Sequence, residues 1–487
     1  MRWKILKVAS RALGKLLDEA DARWVRFGDE VFFYAPGAKL KALRPGDGED
    51  VTTVRQGDDD LPLGNFHLVA QMGRSFQREH PDVRVLFDKG RYIVVDLERD
   101  KAEAIRAEGH SCFVIEPLGD RRVMFDIRPA GAPVRKQPRA SAMANAVSSP
   151  AFSGDLEHLV SLQTRLSTST DFLGAANWAL TRLSGFGYAI GMRPIAVGNL
   201  GPSVNVVATK ASTAASPGEV IVTAHLDSIN HEDGPAGPAP GADDNASGSA
   251  GVLELARLVA MREFEHDVTF VLFGGEEQGL FGSRQYVASL AADERARIRG
   301  VINMDMVGRI NAPPATVMLE GAPVSQDLID RLADAAAAHT SLAVQISLNP
   351  FASDHVPFIE AGIPAVLTIE GGDSANDAVH TARDTLDRVD PAFAVEILKM
   401  NIATIAELAG VRETVVLTPL SCCSPFTSGT LPSPAGDINR TLAAHLNQLI
   451  AQYRRLEGER RLQAEDYQSW QDVRQMLESL PGQGRPG

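Results

Sequence analysis

Imidazole and carboxylate side chains recur directly after β-rich runs, at positions where an unpaired charge would be costly. His225 closes the run VIVTAH, and Asp227 follows two residues later. That spacing lets a carboxylate meet the second ring nitrogen and fix the tautomer of a metal-bound imidazole. GADDNASG places Asp243 and Asp244 ahead of a helical pattern. One acid suffices as an N-cap. The second, beside Asn245 in a glycine-flanked turn, could bridge two cations with its two oxygens, and spacing alone does not say which acid that is. FGGEEQG carries Glu276 and Glu277 after another apolar strand. Adjacent glutamates gain nothing from partial burial unless a metal takes one, which leaves its neighbour to take a proton from bound water.

Asp305, between Met304 and Met306 in VINMDMVG, needs a positive partner in so apolar a strand. His380 lies in AVHTARDTLD, with Asp384 four residues on as an orienting partner. SDHVPF adds Asp354 and His355, which could shape a pocket wall or cap a helix. Each motif alone has a plain reading: a surface histidine, an N-cap, a solvated acidic turn. Five N/O donors after successive strands of one sheet are harder to explain that way. Such a set excludes a thiolate structural zinc site and suits a catalytic one with open positions, with Zn²⁺ preferred and Mn²⁺ or Co²⁺ able to replace it.

The elements that must position these groups follow from residue 155. Near-continuous apolar strands (NVVAT, VIVTAH, DVTFVLF, VINMDM, ATVMLE, PAVLTIE) alternate with amphipathic helices over about 248–263, from SQDLIDRLADAAAAH and from PAFAVEILKMNIATIAELAG. This pattern predicts an α/β fold: a three-layer α-β-α domain over 155–412 with a mostly parallel mixed sheet and its site beyond the C-terminal strand ends. Residues 1–130 read as a small N-terminal α+β region. It is clearest over 87–128, whereas 1–60 yield only an opening amphipathic segment. Residues 131–154, rich in Pro, Ala and Ser, read as a linker. Residues 413–487 read as a loop and a helical C-terminal extension.

Composition narrows the partners. The chain has 487 residues, 44% of them hydrophobic and 23% charged, enough for a real core. With 62 acidic against 48 basic residues and a net charge of -14, nucleic acid is not an expected partner. Cys112, Cys422 and Cys423 form no disulfide framework. No leader and no membrane span is recognisable, so a cytoplasmic location is expected, with secretion or a periplasmic location as the alternative.

In this order, His225 with Asp227, DDNASG, GGEEQG, MDM, SDHVPF and HTARDT resemble the zinc-dependent aminopeptidase family that includes secreted bacterial leucine aminopeptidases and, more distantly, glutamate carboxypeptidase. The resemblance covers about 250 residues, and omits the first 150 and the last 75. It implies two Zn²⁺ ions bridged by Asp244, one completed by His225 and Asp305, the other by Glu277 and His380. It further implies Glu276 as general base, Asp227 and Asp384 as orienters of the two histidines, and Phe351 in the pocket wall. The expected activity is release of N-terminal residues from peptides by metal-activated water. Glutaminyl cyclase-like chemistry, hydrolysis of small non-peptide amides and an inactive metal-binding scaffold are the alternatives. The substrate is a peptide or small amide, and the terminal regions could mediate homo-oligomerisation or, for 87–128, act as a pro-region.

Overall fold

Two strands set the frame. Glu219–His225 and Asp267–Phe273 are rich in β-branched and aromatic residues and buried along their whole length. They pair in parallel, Val220 opposite Val268, and Glu219–His225 pairs in parallel on its other side with Ile298–Met304. Val220, Val222 and Ala224 pack into a cluster with helices Gly248–Ala260 and Pro391–Leu408. Ile221 points the other way, onto Tyr286, Val287 and Phe358. The period-2 alternation thus feeds two helical layers, and the α-β-α architecture matches the expectation. Helix Pro391–Leu408 starts where it does because Pro391 fixes the first turn and Asp390 accepts from the amides of Ala392 and Phe393.

The computed structural model describes residues 1–414 apart from 43–49, 58, 109–111, 129–137, 216 and 236. The helices expected in the C-terminal extension lie outside the described residues. Among the described residues, thirteen strands form one sheet. From one edge they run Ala189–Val197, Gly201–Lys210, Asp267–Phe273, Glu219–His225, Ile298–Met304, Ala365–Glu370, Thr316–Glu320, Ala343–Ser347, Arg122–Arg128, Arg23–Phe27, Glu30–Ala35, Arg2–Val8 and Val51–Gly57. No described helix is long and apolar enough to cross a membrane.

Two sequence expectations need correction. Residues 1–130 are not set apart from the sheet of the later domain: Arg122–Arg128 pairs antiparallel with Ala343–Ser347 and parallel with Arg23–Phe27, so the sheet continues through them. Strands in 1–60 escaped notice because both their faces are covered. Phe32 and Tyr34 enter one cluster and Val31 and Phe33 another, which erases the alternation. The expected linker is also shorter. Pro138–Ala144 and Ser149–Val160 are helices, and Ala140, Met143, Ala144 and Phe152 lie in the core. Small side chains that read as linker composition here permit close helix packing.

The strands and helix expected over 87–128 are present, as Arg84–Lys89, Tyr92–Asp96, Arg99–Glu108, Phe113–Pro117 and Arg122–Arg128. Four strands make a second sheet in the order Arg84–Lys89, Tyr92–Asp96, Phe66–Gln71, Phe113–Pro117. This sheet is locked to the half of the molecule beyond residue 155 by a buried ion network. The Arg91 guanidinium donates to both oxygens of Glu320 at 3.0 Å, to Asp373 at 3.0 Å and to the carbonyl of Phe351 at 3.0 Å. Tyr92 donates to Glu320 as well. Burial works to raise the Glu320 carboxyl, but Arg91 and His355 hold it down at about 2.

Removing one partner of such a pair leaves a buried charge uncompensated. Arg91→Met should cost about 3–5 kcal/mol of unfolding free energy in urea at neutral pH. Because the Glu320 pKa is depressed in the folded state, its contribution is complete above its ordinary value of 4.5 and is lost as pH falls through about 2. The difference between the parent chain and Arg91→Met should therefore shrink across that window. A difference independent of pH there would contradict the assignment.

Candidate metal centre

The register between two central strands aims the first pair of groups. Thr223 sits opposite Asn303, and its hydroxyl donates to the Asn303 side-chain oxygen at 2.8 Å. Two residues further on, on the same face by strand periodicity, come His225 and Asp305. His225 Nε2 lies 3.2 Å from Asp305 Oδ1 and 3.3 Å from Asp244 Oδ1. His380 Nε2 lies 3.2 Å from Asp244 Oδ2 and 2.9 Å from Glu277 Oε2. Asp244 therefore presents one oxygen to each imidazole. Glu276 lies with His225 and Asp305, their donor atoms all within 4.8 Å of one another.

Hydrogen bonding identifies which atoms face inward. His225 Nδ1 lies 3.1 Å from the carbonyl of Asp227, which accepts its proton and leaves the Nε2 lone pair directed at the carboxylates. Neither oxygen of Asp244 receives a hydrogen bond, nor do Glu277 Oε1 and His380 Nε2, although all are buried. Orphaned lone pairs converging on shared points fit cations of the N/O-binding kind.

The two adjacent acids, left open by spacing, divide clearly. Asp243 turns away, accepting from the Gly308 amide at 2.9 Å and the Asn376 side chain at 2.9 Å. Asn245 receives the amides of Gly248 and Met306 on its side-chain oxygen and donates to the Met304 carbonyl, tying the Asp244 turn to the Asp305 turn. Ser353, which sequence reasoning passed over inside SDHVPF, donates to Asp305 Oδ2 at 2.7 Å and accepts from Asn303. His380 has φ 58°, a left-handed conformation costing on the order of 1–3 kcal/mol, and its carbonyl accepts from the His231 amide.

The two orienting acids act differently from expectation. The Asp227 carboxylate is 3.7 Å from His225 Nδ1, and is placed instead against the amides of Glu276 and Glu277 at 3.4 and 3.3 Å. Asp384 accepts from the amides of Asp243 and Asp244, the shortest contact being 2.9 Å, and His380 Nδ1 faces Cys112 Sγ at 3.7 Å. The physical reason is that paired amides at a tight turn outcompete a ring N–H for a nearby carboxylate. The ring of Phe351 packs against Arg91, 5.5 Å away, and His355 Nε2 faces Glu320 at 3.4 Å, so both meet the Arg91–Glu320 network. Asp354 is buried nearer the acids, and burial pushes its carboxyl up to about 7 against the pull of His225.

Electrostatics follow from crowding. Burial raises Glu276 well above the usual carboxylate range, opposed by His225 and reinforced by Glu277. Burial likewise lifts Glu277 to about 7 and, with Asp243, lifts Asp384 to about 8. Burial would raise Asp244 too, but the two imidazoles outweigh it and hold that carboxyl down. Burial opposes charge on His225 and His380, yet Asp305 and Glu277 respectively drive their pKa values up. Arg165, also missed in the sequence, is fully buried and donates to the carbonyls of Leu226, Leu159, Pro240 and Gly241. Burial lowers it to about 10, while Asp384 and Asp227 support its charge.

Comparison with known proteins places the chain among peptidases. The sequence profile of peptidase family M28 matches residues 205–405. Two proteins of Trichophyton verrucosum (strain HKI 0517) described as "Probable leucine aminopeptidase" are similar, one 28% identical over 64% of this chain and 88% of its own length. The other is 30% identical over 61% of this chain and 81% of its own length. The crystal structure of Legionella pneumophila LapA aligns with TM-score 0.51 at 21% identity, covering 71% of this chain and 99% of that one, a likeness of fold.

Arg165 joins the loop after Glu219–His225 to the turn before Asp243 through a fork of donors that a lysine cannot reproduce. Arg165→Lys should lower stability by on the order of 3 kcal/mol, since charged hydrogen bonds are worth about 1.5–3 kcal/mol each. A urea midpoint unchanged from the parent chain would refute this role.

Proposed function

The chain belongs to peptidase family M28, and from that premise we propose a zinc-dependent aminopeptidase that holds two zinc ions on His225, Asp244, Glu277, Asp305 and His380 and uses Glu276 as general base. The observation that carries the reading is the Asp244 carboxylate, buried without a hydrogen bond and offering one oxygen to the neighbourhood of each imidazole. Each half of the centre then has one imidazole, one terminal carboxylate (Asp305 or Glu277) and one oxygen of Asp244. This leaves open positions for water and substrate. Cobalt or manganese would suit the same donors.

Zinc bound there supplies polarisation of the scissile carbonyl and a lowered pKa for water. Glu276 accepts the proton from water and returns it to the leaving amine; its upward shift on burial makes it a stronger proton acceptor than an exposed carboxylate. Asp227 keeps the backbone of Glu276 and Glu277 in place, so the base and its neighbour point to different jobs from one turn. Asp384 does the same for the turn that carries Asp244. Ser353 holds the outer oxygen of Asp305, leaving the inner one for the ion. The descriptions of the relatives as leucine aminopeptidases support N-terminal residues of peptides as the substrate class. The peptidase unit is read as residues 155–412.

Elemental analysis of the full chain should find two zinc ions, and leucine amide should be hydrolysed, with activity lost on chelation and restored by zinc or cobalt. Glu276→Gln should keep fold and metal while kcat falls by about 10²–10⁴-fold. Asp244→Asn should lose both ions. Less than one tightly bound metal per chain, or undiminished turnover in Glu276→Gln, would overturn the reading.

A further inference from the structure

We propose that Cys112, His231 and His380 form a third metal site, which takes a borderline-soft divalent cation such as Zn²⁺ on the outer side of the His380 ring. The three residues come from separate segments: Cys112 directly precedes the strand Phe113–Pro117 of the N-terminal sheet, His231 lies in the loop after Glu219–His225, and His380 lies in the loop after Ala365–Glu370. Cys112 Sγ is 3.8 Å from Nδ1 of His231 and 3.7 Å from Nδ1 of His380. The two rings are 4.6 Å apart at 62°. For a tetrahedral zinc with one sulfur and two nitrogen ligands, bond lengths of about 2.3 and 2.0–2.1 Å place S and N about 3.6 Å apart. The observed edges match that spacing, and a fourth position remains for water.

The ligands are held before any ion arrives. The Cys112 carbonyl accepts from the Met72 amide and the Ser75 hydroxyl. The His231 amide donates to the His380 carbonyl, and Asn230 receives the amides of Glu232 and Asp233, which sets the loop that carries His231. Access comes through His231, whose side chain is exposed while Cys112 and His380 are buried. Binding displaces the Cys112 thiol proton and the His380 Nδ1 proton to solvent, and His231 coordinates through its neutral Nδ1.

His380 Nε2 faces Asp244 and Glu277, so its ring is shared between this site and the proposed catalytic pair. An ion at Nδ1 makes the ring an imidazolate bridge and alters its donation to the inner ion, which couples outer-site occupancy to turnover. That effect on turnover rests on His380 being a catalytic ligand; the existence of the outer site does not.

Cobalt titration of the metal-stripped full chain distinguishes the two, because the catalytic donors are N and O only and give no thiolate-to-cobalt charge-transfer band. Cobalt added beyond the catalytic complement should produce that band and lower leucine amide hydrolysis. Cys112→Ser should abolish the band, and a Cys422→Ser/Cys423→Ser chain should keep it. His231→Ala, at an exposed position, should weaken the band-forming step and raise the inhibitory cobalt concentration at least tenfold. No band at any cobalt concentration, a band that survives Cys112→Ser, or a band indifferent to His231→Ala would overturn the site. A band without any effect on turnover would leave the site standing and count against His380 as a catalytic ligand.

Discussion

The concentration of buried negative charge is the constraint on which the centre depends. Asp227, Asp244, Glu276, Glu277, Asp305 and Asp384 are all buried within the turns that follow the strands, and an uncompensated carboxylate in such surroundings is expensive. The chain's own answer is partial. Arg165 brings one buried positive charge, and paired amides at two turns satisfy Asp227 and Asp384. Both oxygens of Asp244 and Oε1 of Glu277 are left without a donor, and that unmet charge is what favours the proposed cation site.

The same acids that create the problem also build the frame. Asp227, after one strand, accepts from the amides of Glu276 and Glu277 after another; Asp384, after His380, accepts from the amides of Asp243 and Asp244. Asp243 in turn accepts from Gly308, beyond Asp305. Each ligand-bearing turn is therefore held by an acid from a different turn, so the ligands keep their relative positions through hydrogen bonds that do not themselves face the cation. Charge-assisted bonds to backbone amides are the stronger kind, which suits them to this task.

How legible this was in the sequence depends on the range of the interaction. The layered α/β fold, and His225, the Asp243–Asp244 pair, the Glu276–Glu277 pair, Asp305 and His380 as candidates, followed from ligand-type residues set after apolar strands; the choice of Asp244 and the division between Glu276 and Glu277 came from the family resemblance. What spacing misjudged was the partner of Asp384, because a residue four positions along the chain suggests a local contact with histidine; Asp227 does meet His225, through its carbonyl, while its carboxylate also serves Glu276 and Glu277. The actual partners of Asp384 are 140 and 141 residues away. Arg165, Ser353, Cys112 and Arg91 were silent for the same reason: an isolated arginine, serine or cysteine acquires meaning only from what the fold sets against it. The N-terminal strands were illegible because two covered faces leave no alternation to read.

Charge also bears on which ions the centre suits. The buried acids around it outnumber the buried arginine beside them, Arg165, an imbalance that suits the divalent cations proposed there. The N-terminal sheet enters the same account. Its Arg91 pairs with both Glu320 and Asp373 and packs over Phe351, and its Cys112 stands beside His380. The sheet that continues from Ala343–Ser347 into Arg122–Arg128 keeps both in register with the peptidase half. Residues 1–130 therefore act on the centre's surroundings through fixed, buried contacts, and their removal would expose Glu320, Asp373 and the outer face of His380 together.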